Sequence, residues 1–325
     1  MKILITGEKG FIATNLQRIA QQKNIEVVQP QLFVDLSKQR STKEFCVFSN
    51  SEDDWAKTFE RHDVDVVVHN AAVVGTDVVG LNPSDAVLSN IQGTYNICRA
   101  AKKANKKLLF LGTTVVYDTK KYQNSLIFED SELCPKTYYG VQKLAAEDIV
   151  KSHVDNWMII RPLFCYGGSG DNNSLISKSL FAALNRQRID MFLNPNNVKD
   201  YMHVDDFCNA VLTAIQTTAC WNQDFNVSAE LPFLTKDIIN IVSSVTNSDV
   251  ASLIQWHPNT DYLGNHRLSS QKLRAICSWE PKISLSEGIE KSWLDIRQSV
   301  DFDPTKYLQQ AKKLNVDLTQ FFNTK

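Results

Sequence analysis

The chain has 325 residues, 43% of them hydrophobic and 22% charged, proportions of a soluble folded enzyme and not of a disordered chain. A formal net charge of −1 gives no global attraction to nucleic acid or to an anionic membrane, so neither partner is expected and an anionic ligand has to be held locally. The seven cysteines are scattered, with no C-x-x-C pair and no zinc spacing, which points to reduced thiols and to no metal site.

The first predicted element is a strand at 2–6, reached with no signal peptide before it. No apolar run approaches the ~18 residues of a membrane span, so the cytoplasm is the expected location. Further strands are predicted at 25–28, 44–48, 64–69, 107–112 and 157–161, with helical stretches following Gly10, Glu52, Pro83 and Pro135. The basic run from Lys102 to Lys107 is read as the solvated end of a helix. Alternating strands and helices imply an α/β fold with a doubly wound parallel sheet. Runs such as Val64-Asp65-Val66-Val67-Val68 are apolar enough to be covered on both faces. The expected division is one large domain over 1–163 and a smaller C-terminal companion over 164–298, some of whose segments return to the first. Elements beyond Tyr166 are expected to be shorter and less regular. A capping box, Ser284-Leu285-Ser286-Glu287, starts a helix ending near Arg297, and a tail over 299–325 carries an amphipathic stretch from Pro304 to Leu314.

After the first strand comes Thr6-Gly7-Glu8-Lys9-Gly10-Phe11-Ile12-Ala13. Glycines there let the backbone turn sharply and approach a pyrophosphate seated on the N–H groups of the following helix. An acid usually ends the second strand to bind the adenosine ribose. That place falls near Gln31, with Asp35 four residues later. A neutral Gln31 and a cationic Lys9 in the loop lean toward NADP over NAD.

Tyr139-Gly140-Val141-Gln142-Lys143 puts a phenol and an ammonium on one helix face. With 9 Tyr and 25 Lys in the chain, roughly 0.7 such pairs arise by chance, and Tyr117…Lys121 is a second one. Context separates them: Tyr117 leads into a loop, whereas Tyr139 opens a helical stretch, Val141–Val150. A phenol of pKa ~10 is about one part in a thousand ionised at pH 7. A neighbouring ammonium and an oxidised nicotinamide both favour phenolate, so Tyr139 can exchange a proton with an alcohol or ketone. Thr113, at a strand end, offers a hydroxyl to the same substrate oxygen.

These motifs, in this order, resemble the extended short-chain dehydrogenase/reductases that epimerise, dehydrate or reduce nucleotide sugars. The resemblance spans about 2–297 and implies a Rossmann-like, dinucleotide-binding domain over 1–163 and a mainly substrate-binding domain over 164–298. Its landmarks are the Thr6–Ala13 loop, His69-Asn70-Ala71-Ala72, Asn90 to Asn96, Thr113 with Val116-Tyr117, Tyr139…Lys143, Arg161-Pro162, Asp200 to Asp206 and Trp279-Glu280-Pro281-Lys282. It implies catalysis by Thr113, Tyr139 and Lys143. It implies cofactor contacts at Gly7, Lys9, Gly10, Phe11, Ile12, Gln31, Asn70, Ala71, Ala72, Asn90, Tyr139, Lys143 and Pro162. Substrate contacts are implied at Thr113, Thr114, Tyr139, Asn172, Lys199 and Arg267, and a homodimer through two helices per subunit.

The departures narrow the reaction. Phe164 stands where the family usually has Asn, and Lys199 where Arg is common, which exchanges a fork for a point charge at the diphosphate. Arg267 is the expected second cation. The Asp-Glu pair of the dehydratases is replaced by Thr114 and Val115, and the thiol of the 3,5-epimerising reductases by Val115. Hydride transfer at C4 of a nucleotide-diphosphate sugar remains, as a 4-keto reductase first and a 4-epimerase second. A dinucleotide-binding protein without turnover is the third reading, opposed by the joint presence of Thr113, Tyr139 and Lys143.

Overall fold

The computed structural model describes residues 1–28, 51–75, 79–80, 83–168, 170–171, 174–261 and 263–298. Gln31, Asp35, the predicted strand at 44–48, Asn172 and the 299–325 tail lie outside the described residues.

A six-stranded parallel sheet organises the chain. Its strands are β1 (Lys2–Thr6), β2 (Glu26–Val28), β3 (Val66–His69), β4 (Lys107–Leu111), β5 (Trp157–Pro162) and β9 (Gln223–Val227), in the order β2-β1-β3-β4-β5-β9. The order reverses between β1 and β3. Parallel sheets of this kind bind ligands outside the carboxyl ends of their strands at such a reversal. Those ends are Thr6, His69, Leu111 and Pro162.

Alternation along each strand explains why both faces are covered. Ile3, Ile5, Val66, Val68, Leu109, Leu111, Met158 and Ile160 face one side. There they meet Ala13 and Leu16 of α1 (Phe11–Gln22) and Phe207 and Val211 of a helix over Val204–Gln216. Leu4, Val67, Leu108, Phe110 and Ile159 face the other side. They meet Trp55 and Phe59 of α2 (Glu52–Arg61), Ile97 and Ala101 of a helix over Thr94–Lys103, and Ala146 and Val150 of a helix over Tyr138–His153. Each fully buried side chain of this size contributes about 1.5–3 kcal/mol relative to exposure. Helix α2 begins with a complete Ser51–Asp54 capping box.

The second half is more regular than its composition suggested. Helices Val204–Gln216, Thr235–Thr246 and Leu285–Gln298 have 13, 12 and 14 residues, as long as those before them, whereas Gln271–Cys277 has 7 and several of the strands have three. The segment from Val204 to Val227 returns to the first sheet, adding a covering helix and its edge strand β9. A smaller three-stranded sheet, β10-β8-β6, joins Pro232–Leu234, Val198–His203 and Phe164–Tyr166. Beside it Tyr166, Ile176, Leu180, Tyr201, Ile238, Val242 and Ile289 form a separate core. In the basic run, Lys102 and Lys103 end their helix and pair with Asp155 and Asp53. The six described cysteines are free thiols. Among the described residues no helix is long and apolar enough to cross a membrane.

Candidate active site

The turn after β1 has the backbone its glycines predict. Gly7 has φ +69, a region side chains resist, and a Cβ there would lie 2.9 Å from Cα of Ala71. Gly10 N–H donates to the Gly7 carbonyl at 2.9 Å. Gly10 also caps α1 without a side-chain hydrogen bond, and the first turn, beginning Phe11-Ile12, carries no acid. The helix therefore presents open N–H groups and the positive end of its dipole, which suit a pyrophosphate. Lys9 is exposed on this turn.

The loop after β3 is tied to the same turn. Thr6 Oγ1 accepts from the backbone N–H groups of Asn70 and Ala71 at 3.2 and 3.0 Å, and Asn70 Nδ2 donates to the Gly7 carbonyl at 3.3 Å. Ala71 and Ala72 are partly exposed there. His69 is buried between the hydroxyls of Thr6 and Thr94, at 2.8 and 3.0 Å. Burial, with the nearby Lys143 charge, pushes its pKa down to about 3, so it joins strand to helix as a neutral ring. Asn90, expected at the cofactor, faces elsewhere. It lies in a π-helical turn, Leu88–Gly93. Its Oδ1 accepts from Val73 N–H at 2.8 Å, and its Nδ2 donates to the Val73 carbonyl and to Gln142 Oε1 at 3.0 and 2.9 Å. Both hydrogens of its amide nitrogen are thus used inside the protein, and its oxygen holds the loop at Val73. π-helical turns recur at functional sites.

Thr113, Tyr139 and Lys143 come together at the end of β4. Thr137 caps the helix Tyr138–His153 by accepting from Gly140 N–H at 3.0 Å. Gly140 lets this helix press on the strand end: a Cβ there would be 2.5 Å from the Val115 carbonyl. Tyr139 packs among Val73, Val79, Ala86 and Val115. Thr113 is nearly buried, and its Oγ1 accepts from Val115 N–H at 3.4 Å. Thr114 is buried beside it, and Pro162 is half-buried at the end of β5. Lys143 is 3% exposed. Its Nζ donates to the Leu111 carbonyl at 2.6 Å and sits 3.9 Å from the centre of the Phe110 ring. Loss of solvent pulls its pKa down to about 7, against the opposing pull of Glu147.

Glu147, one turn beyond Lys143, was not singled out from the sequence. It is fully buried and clamps the fully buried Arg161: Nε lies 3.0 and 3.2 Å from its two oxygens, and Nη2 2.7 Å from Oε2. Arg161 also donates to Tyr117 Oη at 2.6 Å and to Asp224 at 3.0 Å. Tyr117 donates in turn to Asn226 Oδ1 at 2.9 Å, and burial raises its pKa. Lys121 is exposed and paired with Glu132. The competing Tyr117…Lys121 spacing is thus no pair at all: one member is structural and the other is solvated.

The cations expected at the substrate diphosphate differ in kind. Lys199 is not open. It is 1% exposed, paired with Asp261 Oδ1 at 3.0 Å, and donates to the Gly264 carbonyl at 2.6 Å. Phe164 lies 5.8 Å from ring centre to its Nζ, tilted against Tyr201 and edge-on to His266. Arg267 is half-buried, and no carboxylate among the described residues pairs with its guanidinium. Among the described residues no group of three His, Cys, Asp or Glu gathers in a metal-binding cluster.

A profile of the NAD dependent epimerase/dehydratase family matches residues 3–228, ending at the last strand of the six-stranded sheet. The chain belongs to that family. It is accordingly one of the extended short-chain dehydrogenase/reductases, a dinucleotide-dependent enzyme. It is similar to Protein CapI of Staphylococcus aureus, 28% identical over 70% of this chain and 72% of the relative. It is also similar to human dTDP-D-glucose 4,6-dehydratase, 23% identical over 90% and 88%. In fold it resembles the UDP-glucuronic acid 4-epimerase of Bacillus cereus solved with UDP-glucuronic acid and NAD. That likeness has a TM-score of 0.78 and 21% identity, over 92% of this chain and 99% of the other.

In this member of the family, several landmarks serve architecture. Asp200 accepts from the backbone of Glu230 and Leu231, and Asp206 from that of Lys282 and Ile283. Asp205 ties Arg18 of α1 to Lys291 of the last helix. The i, i+4, i+8 series Tyr139, Lys143, Glu147 was the signal that could have exposed Glu147, since a lone acid on an otherwise buried helix face requires a partner.

Two outcomes follow from this geometry. Tyr139→Phe should lose at least about 10²-fold in turnover and retain dinucleotide binding. Tyr117→Phe should lose far less turnover and register as lower stability; equal turnover losses would remove the distinction. Lys143 tests the burial. Between pH 7 and the ordinary lysine pKa of 10.5, the unfolded chain keeps a proton that the folded chain releases. Wild-type stability therefore rises with pH through that window, by up to about 1.4 kcal/mol per pH unit. Below it the penalty is complete. In urea titrations of cofactor-free protein, Lys143→Met should lack this rise, so its stability relative to wild type is best at pH 6 and falls by pH 9. Parallel curves would show that the ammonium is solvated.

Proposed function

We propose that the protein transfers hydride between a nicotinamide dinucleotide and C4 of a nucleotide-diphosphate sugar, most simply as a 4-keto reductase. The observation that carries this reading is the assembly of Thr113, Tyr139 and Lys143 beside Thr114 and Val115. Position 115 is an apolar side chain packed on Tyr139, with no group able to take a proton from carbon.

The glycine turn, with its positive-φ Gly7 and uncapped helix, fits the dinucleotide, whose nicotinamide supplies or accepts the hydride. Tyr139 gives its phenolic proton to the sugar oxygen in reduction and takes it in oxidation. Lys143, held by the Leu111 carbonyl on the same helix face, favours the phenolate by its charge. Thr113 steadies the substrate oxygen with the hydrogen of a hydroxyl whose lone pair already accepts from Val115. The lean toward NADP, and with it toward reduction, rests on Lys9. The 4-epimerase reading is supported by the resemblance to the UDP-glucuronic acid 4-epimerase, and it uses the same three side chains.

The same reading includes a homodimer. Tyr138 and Val141 on one helix are 73% and 52% exposed, and Val87, Leu88 and Tyr95 on the adjoining helical segments are also open. The two helices are already joined by an edge contact of Tyr95 with His153 at 5.3 Å. A second copy placed on a twofold axis would cover this apolar patch.

Sedimentation equilibrium should give twice the 36.8 kDa of one chain, with Tyr138→Glu shifting it to the monomer; a monomeric wild type would refute the dimer. The chemistry is read by isotope. With NADPH or NADH deuterated at the transferable position, a reductase places deuterium on C4 and consumes cofactor stoichiometrically. An epimerase interconverts C4 isomers with no net consumption. Reaction in deuterium oxide should leave C3 and C5 unlabelled, and solvent deuterium at either carbon would defeat both readings.

A further inference from the structure

We infer that Gln142 is a positioning residue: it suspends the helix bearing Tyr139 and Lys143 from the loop that abuts the glycine turn, and so sets where the phenol lies relative to the nicotinamide. The inference rests on Tyr139 being the proton donor and acceptor. Three segments far apart in sequence meet at this point. The glycine turn holds the loop after β3 through Thr6 Oγ1 and through Asn70 Nδ2 on the Gly7 carbonyl. That loop is gripped at Val73, N–H and carbonyl both, by the single amide of Asn90. The second hydrogen of Asn90 Nδ2 goes to Gln142 Oε1 at 2.9 Å.

Position and burial make this link directional. Gln142 lies three residues after Tyr139, so the two share a side of the helix. Gln142 is 7% exposed and Asn90 2%, so water does not readily substitute for the bond, and an unmade one leaves a buried donor unsatisfied. Asn90 is itself fixed. Its carbonyl accepts from Thr94 Oγ1 at 2.8 Å, and that hydroxyl meets His69 Nε2 at 3.0 Å. The π-helical turn Leu88–Gly93 places Asn90 between loop and helix. Lys143 has its own tether to the Leu111 carbonyl, on β4. Tyr139 also packs on Val73 of that loop, but apolar packing sets no fixed direction; the Gln142 bond supplies the directional link to the cofactor-side loop, and Lys143 ties the helix to the sheet. Without the Gln142 bond, the helix keeps its place on the sheet and its apolar contact with the loop, and the alignment of the two is looser.

The test needs no sugar substrate. In the full-length protein, Gln142→Met keeps side-chain length and removes the oxygen acceptor. NADPH affinity is read by fluorescence titration and melting temperature by calorimetry. Ionisation of Tyr139 is read from phenolate absorbance with NADP⁺ bound, after subtracting the Tyr139→Phe curve. The expected result is NADPH affinity within about threefold of wild type and a Tyr139 titration raised by about one unit, a tenfold loss of phenolate at neutral pH. Asn90→Ala removes the donor from the other side without adding a charge and should raise the same titration, which reads the link whether or not the first variant folds well. A cofactor-bound variant whose Tyr139 titrates as in wild type would overturn the proposal. A shift in melting temperature alone would also overturn it, because a merely structural residue gives that result. Wild type and Tyr139→Phe with identical absorbance curves would instead sink the assignment of Tyr139, and this proposal with it.

Discussion

A guanidinium with no contact with water has to have its N–H groups satisfied by the protein, and Arg161 is in that position. Glu147 takes its fork, Tyr117 and Asp224 take the remaining directions, and Asn226 completes the hydroxyl. Burial works against the Arg161 charge, and the carboxylate of Glu147 outweighs it, so the pKa rises. One side chain thereby joins the last residues of β5 to the catalytic helix, the turn after Thr113, and the edge strand β9. Gly112 is part of the same fit, since a Cβ there would fall 2.6 Å from Glu147 Oε1. Removing one partner of such a pair leaves an uncompensated buried charge and typically costs about 3–5 kcal/mol.

Around this clamp Thr113, Tyr139 and Lys143 sit in different surroundings. Tyr139 keeps a little exposure among aliphatic neighbours. Lys143 is enclosed, and its charge is tolerated because the Leu111 carbonyl, the Phe110 face and the more distant Glu147 compensate in part. The remaining ionisable groups of the neighbourhood are kept out of the chemistry. His69 is held neutral, and Tyr117 is pushed away from ionisation.

Strands β1 to β5 were legible because they are short apolar runs separated by helical periodicity; β9 was not, because it arrives from the second half of the chain. The glycine turn was legible because Gly7 stands where only a positive φ closes the turn. Tyr139 and Lys143 needed context, and the helix expected there is the one over Tyr138–His153. What escaped the sequence were bonds between residues distant in the chain. Asn90 looked like a cofactor ligand because its place in the motif carries no record of Val73 or Gln142. Lys199 looked open because Asp261, 62 residues later, gives no local sign of approaching it. The regular helices after Tyr166 were underestimated because their apolar faces divide between two cores, one on the large sheet and one beside the small sheet.

The closed Lys199–Asp261 pair changes what anion affinity means at that end of the molecule. A phosphate arriving there would meet a cation already neutralised by a carboxylate tethered at high effective concentration, beside the ring of Phe164. It would have to separate an internal pair shielded from solvent before making its own contact. The net strength of such a contact is the difference between two charge-assisted bonds, not the whole of one. An anion with weaker geometry than the resident carboxylate would gain nothing from Lys199, because the exchange of partners would leave the buried ammonium less well satisfied than before.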